Sequence, residues 1–173
     1  MAAKPEPTPV EKALRLLARR SRTALELDRA LARAKVPAEE RKAALARVRE
    51  LGYMDDRALA NSRARTLIGR GEAPRMAARR LAMQGVSRED ARDATAEAAD
   101  GASEDELVRR ALERKLRGRK PPAADPAGDN KERQRLFRFL LGKGHRAAAI
   151  SKALDFSWEG EEGDESDGSE NKE

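Results

Sequence analysis

Catalysis needs paired groups, and this chain offers few residues that could form a pair. Asp55 and Asp56 are adjacent carboxylates just after the Gly52-Tyr53-Met54 turn. Neighbours on a helix point in different directions, so they make a poor acid/base couple. Capping the next helix and favouring its positive end account for them better. Ser21 has no base within its own segment, and the single histidine, His145, lies more than a hundred residues further on. A cap or turn role follows for Ser21, not a nucleophile. His145 stands at the junction of two helices without a carboxylate or histidine beside it, which reads as packing or solvation rather than metal ligation. Gly69-Arg70-Gly71-Glu72 resembles part of a phosphate-gripping glycine loop, yet no strand precedes it and no Gly-Lys-Ser/Thr follows. Its glycines are expected to permit a tight turn between helices. With no cysteine in the chain, disulfide scaffolds and thiolate zinc sites are excluded. No catalytic, cofactor-binding or metal-binding residue is expected, and no small-molecule substrate.

Cationic groups are a different matter. Of 37 basic residues, 27 are arginine, whose planar fork suits phosphate and carboxylate. A GC-rich genome would explain much of that preference whatever the function. It explains the charge distribution less well. The net charge is +6, but residues 159–173 hold eight acids against Lys172 alone, so residues 1–158 carry +13. A body of that charge points to an anionic partner, most simply nucleic acid. Arg15, Arg19 and Arg22 lie near one face of the first expected helix and its end. Arg75 and Arg79 are four apart on another helix, and Arg63 and Arg70 are seven apart. Each alone is an ordinary solvated residue; together they could follow a phosphate backbone or an acidic protein groove. Phe137, Phe139, Phe156 and Trp158 read first as core and second as a base-stacking platform.

The elements that must position these groups are helices. Apolar residues recur at helical spacing: Val10, Leu14 and Leu17; Ala24, Leu27, Leu31 and Ala34; Ala44, Val48 and Leu51; Ala60, Ala64, Leu67 and Ile68; Leu107, Ala111 and Leu116. Valine, isoleucine and threonine total only 11 residues and never alternate, so no strand is expected. Thr23 with Glu26 forms a capping box, Gly52 and Gly85 sit where helices should stop, and Ser87 can cap the next one. Pro37 and Pro74 fit first turns of new helices. No apolar run is long enough to span a membrane, and the first residues lack the apolar core of a signal peptide, which reads as a soluble, cytoplasmic protein.

A repeat organises these helices. Leu31-Ala32-Arg33-Ala34-Lys35-Val36-Pro37 aligns with Leu81-Ala82-Met83-Gln84-Gly85-Val86-Ser87 and again with Leu140-Leu141-Gly142-Lys143-Gly144-His145-Arg146. The spacing predicts an all-α, elongated tandem array of about three three-helix repeats, over 10–54, 55–100 and 101–158. A Pro/Gly loop at 118–130 interrupts the third. Residues 1–9 read as a disordered leader and 159–173 as a disordered acidic tail.

Several of these stretches resemble the RecX proteins, bacterial modulators of the RecA recombinase. Leu17-Ala18-Arg19-Arg20-Ser21-Arg22 with Glu26-Leu27 and Leu31 is similar to the family's opening repeat. Leu51-Gly52-Tyr53-Met54-Asp55-Asp56-Arg57 with Ala60 resembles its most recognisable stretch. Gly69-Arg70-Gly71, Arg80-Leu81 and Gln84-Gly85-Val86 resemble the second repeat, and Arg135, Leu136, Phe139, Leu140 and Gly144 the third. The match covers about residues 10 to 155. Departures are Leu59, where the family has an aromatic, Gln84 for a lysine, and His145 for a bulky apolar residue.

The resemblance implies tandem three-helix repeats, binding in the groove of the RecA filament on single-stranded DNA, and inhibition of RecA's recombinase and ATPase activities in recombination, DNA repair and the SOS response. The expected reading is a non-enzymatic regulator without cofactors, acting as a monomer. A stand-alone basic helical DNA-binding protein, repressing or compacting DNA, is the rival reading. The recognised residues Ser21, Leu31, Gly52, Tyr53, Asp55, Leu81, Gly85, Leu140 and Gly144 are expected at turns and packing positions. The arginines Arg15, Arg19, Arg22, Arg63, Arg70, Arg75 and Arg79 are the expected contacts.

Overall fold

The computed structural model describes residues 6–117, 119 and 130–155. Most of the leader, most of the Pro/Gly loop, Phe156, Trp158 and the acidic segment 159–173 lie outside these residues. Among the described residues the structure is all-α with no strand. Its helices are α1 (Pro9–Arg19), α2 (Ala24–Arg33), α3 (Ala38–Glu50), α4 (Asp56–Gly69), α5 (Pro74–Met83), α6 (Arg88–Ala99), α7 (Glu104–Leu116), α8 (Lys131–Gly142) and α9 (Ala147–Leu154).

Local chemistry accounts for most of the boundaries. Thr23 and Glu26 form the expected reciprocal capping box, and Thr8 with Glu11 forms a second one that starts α1 at Pro9. That helix begins one residue inside the expected leader. Asp55, Ser87 and Ser103 accept hydrogen bonds from the third residue beyond each, opening α4, α6 and α7. Pro74 takes the first position of α5, while Pro37 precedes α3 as its N-cap.

The ends of α2, α5 and α8 share one geometry. Val36, Val86 and His145 donate their N–H groups to Leu31, Leu81 and Leu140 at 3.1, 3.2 and 3.2 Å. The residue before each donor, Lys35, Gly85 or Gly144, has positive φ. This is the six-to-one bond that closes a helix through a left-handed residue. Leu31, Leu81 and Leu140 are fully buried one helical turn earlier.

The extensive helix contacts lie within three consecutive triplets, α1–α3, α4–α6 and α7–α9. Each triplet has its own apolar cluster. Leu27, Leu31 and Val48 centre the first; Ala60, Ala64, Leu81 and Ala94 the second; Leu112, Leu136, Phe137, Leu140 and Ile150 the third. The second is built largely from alanine, so little area is buried per residue there. Of the expected turn and packing residues, Tyr53 belongs to a turn: its N–H closes the end of α3 on Val48, and its side chain is 61% exposed.

Candidate anionic-partner interface

Two junctions join the triplets, and both use the start of one unit's second helix against the next unit's helix-ending turn. At the first, the Thr23 hydroxyl donates to the Gln84 carbonyl. A Cβ on Gly85 would fall 2.5 Å from Leu25 Cβ, so only glycine permits the approach. At the second, the Ala73 N–H donates to the Lys143 carbonyl at 2.9 Å, and a Cβ on Gly144 would fall 2.6 Å from Met76 Cβ. The Arg75 Nε–H reaches the Gly144 carbonyl at 2.5 Å. Glu72 is buried here, with carboxylate oxygens 3.1 Å from Arg80 and 3.8 Å from Lys143.

His145 belongs to this second junction. It is fully buried in the position that Val36 and Val86 occupy in the other units, and Nε2 lies 3.0 Å from the Gly71 carbonyl. That contact requires Nε2 to carry the proton and donate. Burial pushes its pKa below the ordinary value, the Arg75 and Lys143 charges act the same way, and the Gly71 carbonyl and Glu104 oppose them.

The expected arginines divide once their partners are seen. Arg63 is held in the first junction: its guanidinium donates to Glu26 at 2.7 Å, Gln84 at 2.6 Å and the Ser21 carbonyl at 3.4 Å. Burial opposes ionisation of Glu26, but hydrogen bonds from Arg63 and the Thr23 N–H lower its pKa on balance. Arg63 is thereby a clamp between units. Arg22 folds back, its Nε 3.4 Å from the Leu16 carbonyl. Burial first, then Arg20 beside it, lowers its pKa. Arg15, Arg19, Arg70 and Arg79 are exposed, and among the described residues no carboxylate lies within ion-pair distance of them.

Arg75 and Arg79 line one side of an open groove between α5 and α6, with Arg88 and Arg92 on the other. Its floor holds Ala78, Ala82 and Val86, with Met83 at the margin and 69% exposed. Sequence reasoning did not single out Arg88 and Arg92. Their four-residue spacing was visible, but their position opposite α5 depends on how the helices pack. Equally unremarked were Arg29 and Arg138, which the repeat register places at the same helix position as Arg79. All three are exposed. In the third unit, Phe139 is half-buried and lies beneath Lys115 and Lys143, whose Nζ atoms are 4.8 and 5.8 Å from the ring centre. Phe137 is core. No group of three or more histidine or acidic residues that could hold a metal, and no helix long and apolar enough to cross a membrane, occurs among the described residues.

No family model matches the chain. The regulatory protein RecX of Chlorobaculum tepidum is 34% identical over 136 residues, which cover 78% of this chain and 79% of that protein. The chain belongs to the RecX family. Two solved RecX structures share its fold. One, a crystal structure of regulatory protein RecX, superposes with a TM-score of 0.62 at 21% identity, covering 85% of this chain and 70% of its own. The other, RecX from Lactobacillus salivarius, gives 0.60 at 19% identity over 85% and 94%.

Proposed function

We propose that this RecX-family chain is a non-enzymatic cytoplasmic regulator that binds the RecA–single-stranded DNA filament and inhibits RecA's recombinase and ATPase activities. The observation that carries the reading is the exposed, carboxylate-free set Arg15, Arg19, Arg70 and Arg79, spread over two units of a repeat array. A filament presents the same anionic and polar features to successive units, so many weak contacts act together without a single anchor. The chain acts as a monomer and requires no cofactor. Its place in recombination, DNA repair and the SOS response follows from that of RecA.

The test is RecA-catalysed strand exchange and DNA-dependent ATP hydrolysis, titrated with this protein. Inhibition is expected, with tighter binding to the assembled filament than to free RecA or naked DNA. Tight, sequence-specific retention of naked duplex without any effect on RecA would replace this reading with that of an autonomous DNA-binding protein, whose energy is concentrated in base contacts.

A further inference from the structure

The α5–α6 groove holds more cations without a carboxylate partner than its counterparts do. The positions of Arg75, Arg79, Arg88 and Arg92 are occupied in the first unit by Leu25, Arg29, Ala38 and Lys42. In the third unit they are Gln134, Arg138, Ala147 and Ser151. Among the described residues no carboxylate lies within ion-pair distance of the four groove arginines, although Arg41, Arg63, Arg65 and Arg80 elsewhere each have one. Four guanidinium groups over an apolar floor match an anionic segment that also carries large apolar side chains.

The chain contains such a segment. Residues 159–173 hold eight carboxylates and one lysine, and Phe156 and Trp158 stand just before them. Reach is sufficient. The Gly144–His145 turn touches Arg75 and Gly71, and α9, whose eight residues span about 12 Å, leads from that turn to Asp155. Residues 156–173 could extend about 60 Å from there. We propose that the groove is the seat of the chain's own residues 156–173, Phe156 and Trp158 with the acidic run 159–173. Tethering holds the segment near the groove at an effective concentration in the millimolar range, so several weak ion pairs suffice. Any polyanionic partner using Arg75 and Arg79 must displace it. The inference goes beyond the proposed function, because it concerns this chain alone.

Its test needs neither RecA nor DNA, so its failure would leave the proposed function standing. The chain has no cysteine, and a nitroxide on Ser166→Cys in the full chain would report proximity through the backbone amide spectrum. At low ionic strength, amides of residues 74–96 should lose intensity well beyond those of α1–α3 and α7–α9. The loss should fade in high salt. In the Arg79→Ala/Arg88→Ala/Arg92→Ala variant, with helix content verified by circular dichroism, it should disappear. The same pattern of loss in the triple variant would overturn the proposal, as would broadening centred on Lys115, Arg135 and Phe139, or spread evenly over the basic surface.

Discussion

Arginines that look equivalent in sequence differ by what surrounds them. Arg63 is held by Glu26, Gln84 and the Ser21 carbonyl, so Arg63→Ala leaves Glu26 with only the Thr23 N–H and Arg20 at 3.6 Å and should cost about 2 kcal/mol. Arg79→Ala should stay within about 0.5 kcal/mol of the parent, since no such partner is lost. Urea unfolding of the two variants measures the contrast; equal midpoints would refute it. The separation was not legible in sequence, because the Arg63–Glu26 pair spans 37 residues and exists only after two units dock. His145 supplies a pH signature. Its folded pKa is depressed, so the unfolded chain takes up the proton first as pH falls through the ordinary value near 6.5. That contribution therefore rises with pH through this window and is lost on acidification. His145→Val, the residue its counterparts use, should flatten the change in unfolding midpoint between pH 5 and pH 8, and an unchanged slope would count against the assignment.

At the level of elements, helices and their caps were readable because they depend on neighbours three or four residues apart. Thr23 with Glu26, Asp55, Ser87 and the buried leucines stand where periodicity put them. The unit junctions were less readable, since a glycine that ends a helix and one that admits a neighbour look identical in sequence. Gly52 and Gly85 separate the two cases. Both have positive φ, but a Cβ on Gly52 meets open space while one on Gly85 meets Leu25. Gly52→Ala should cost about 1 kcal/mol from backbone strain alone. Gly85→Ala should cost more and loosen the first junction, seen as faster amide exchange around Thr23 and Leu25. Leu81→Ala removes a fully buried side chain from an alanine-rich core and should cost about 2–5 kcal/mol. A parental melting temperature would place Leu81 outside the core.

Across the whole molecule, distributed contact predicts graded loss. Single replacement of Arg15, Arg19, Arg70 or Arg79 by alanine should weaken RecA inhibition modestly, and replacement of all four severely, with helix content retained. Abolition by one substitution would favour a point anchor. Removing residues 159–173 should tighten binding to single-stranded DNA at low salt, with the gain shrinking as salt rises; no gain at low salt would show that these acids do not shield the body. One helix end also sets a limit on growth. The turn that receives a neighbouring unit at Gly85 and Gly144 is repeated at Lys35, with φ of 58° but a full side chain. A unit arriving there would meet a Cβ, which the close approach at Gly85 and Gly144 does not admit. Copies of this chain are therefore expected not to join head to tail through that turn. If Lys35 bars such docking, Lys35→Gly, which also relieves the strained backbone, should raise the tendency of concentrated protein to associate, read by light scattering; unchanged scattering would remove Lys35 as the barrier.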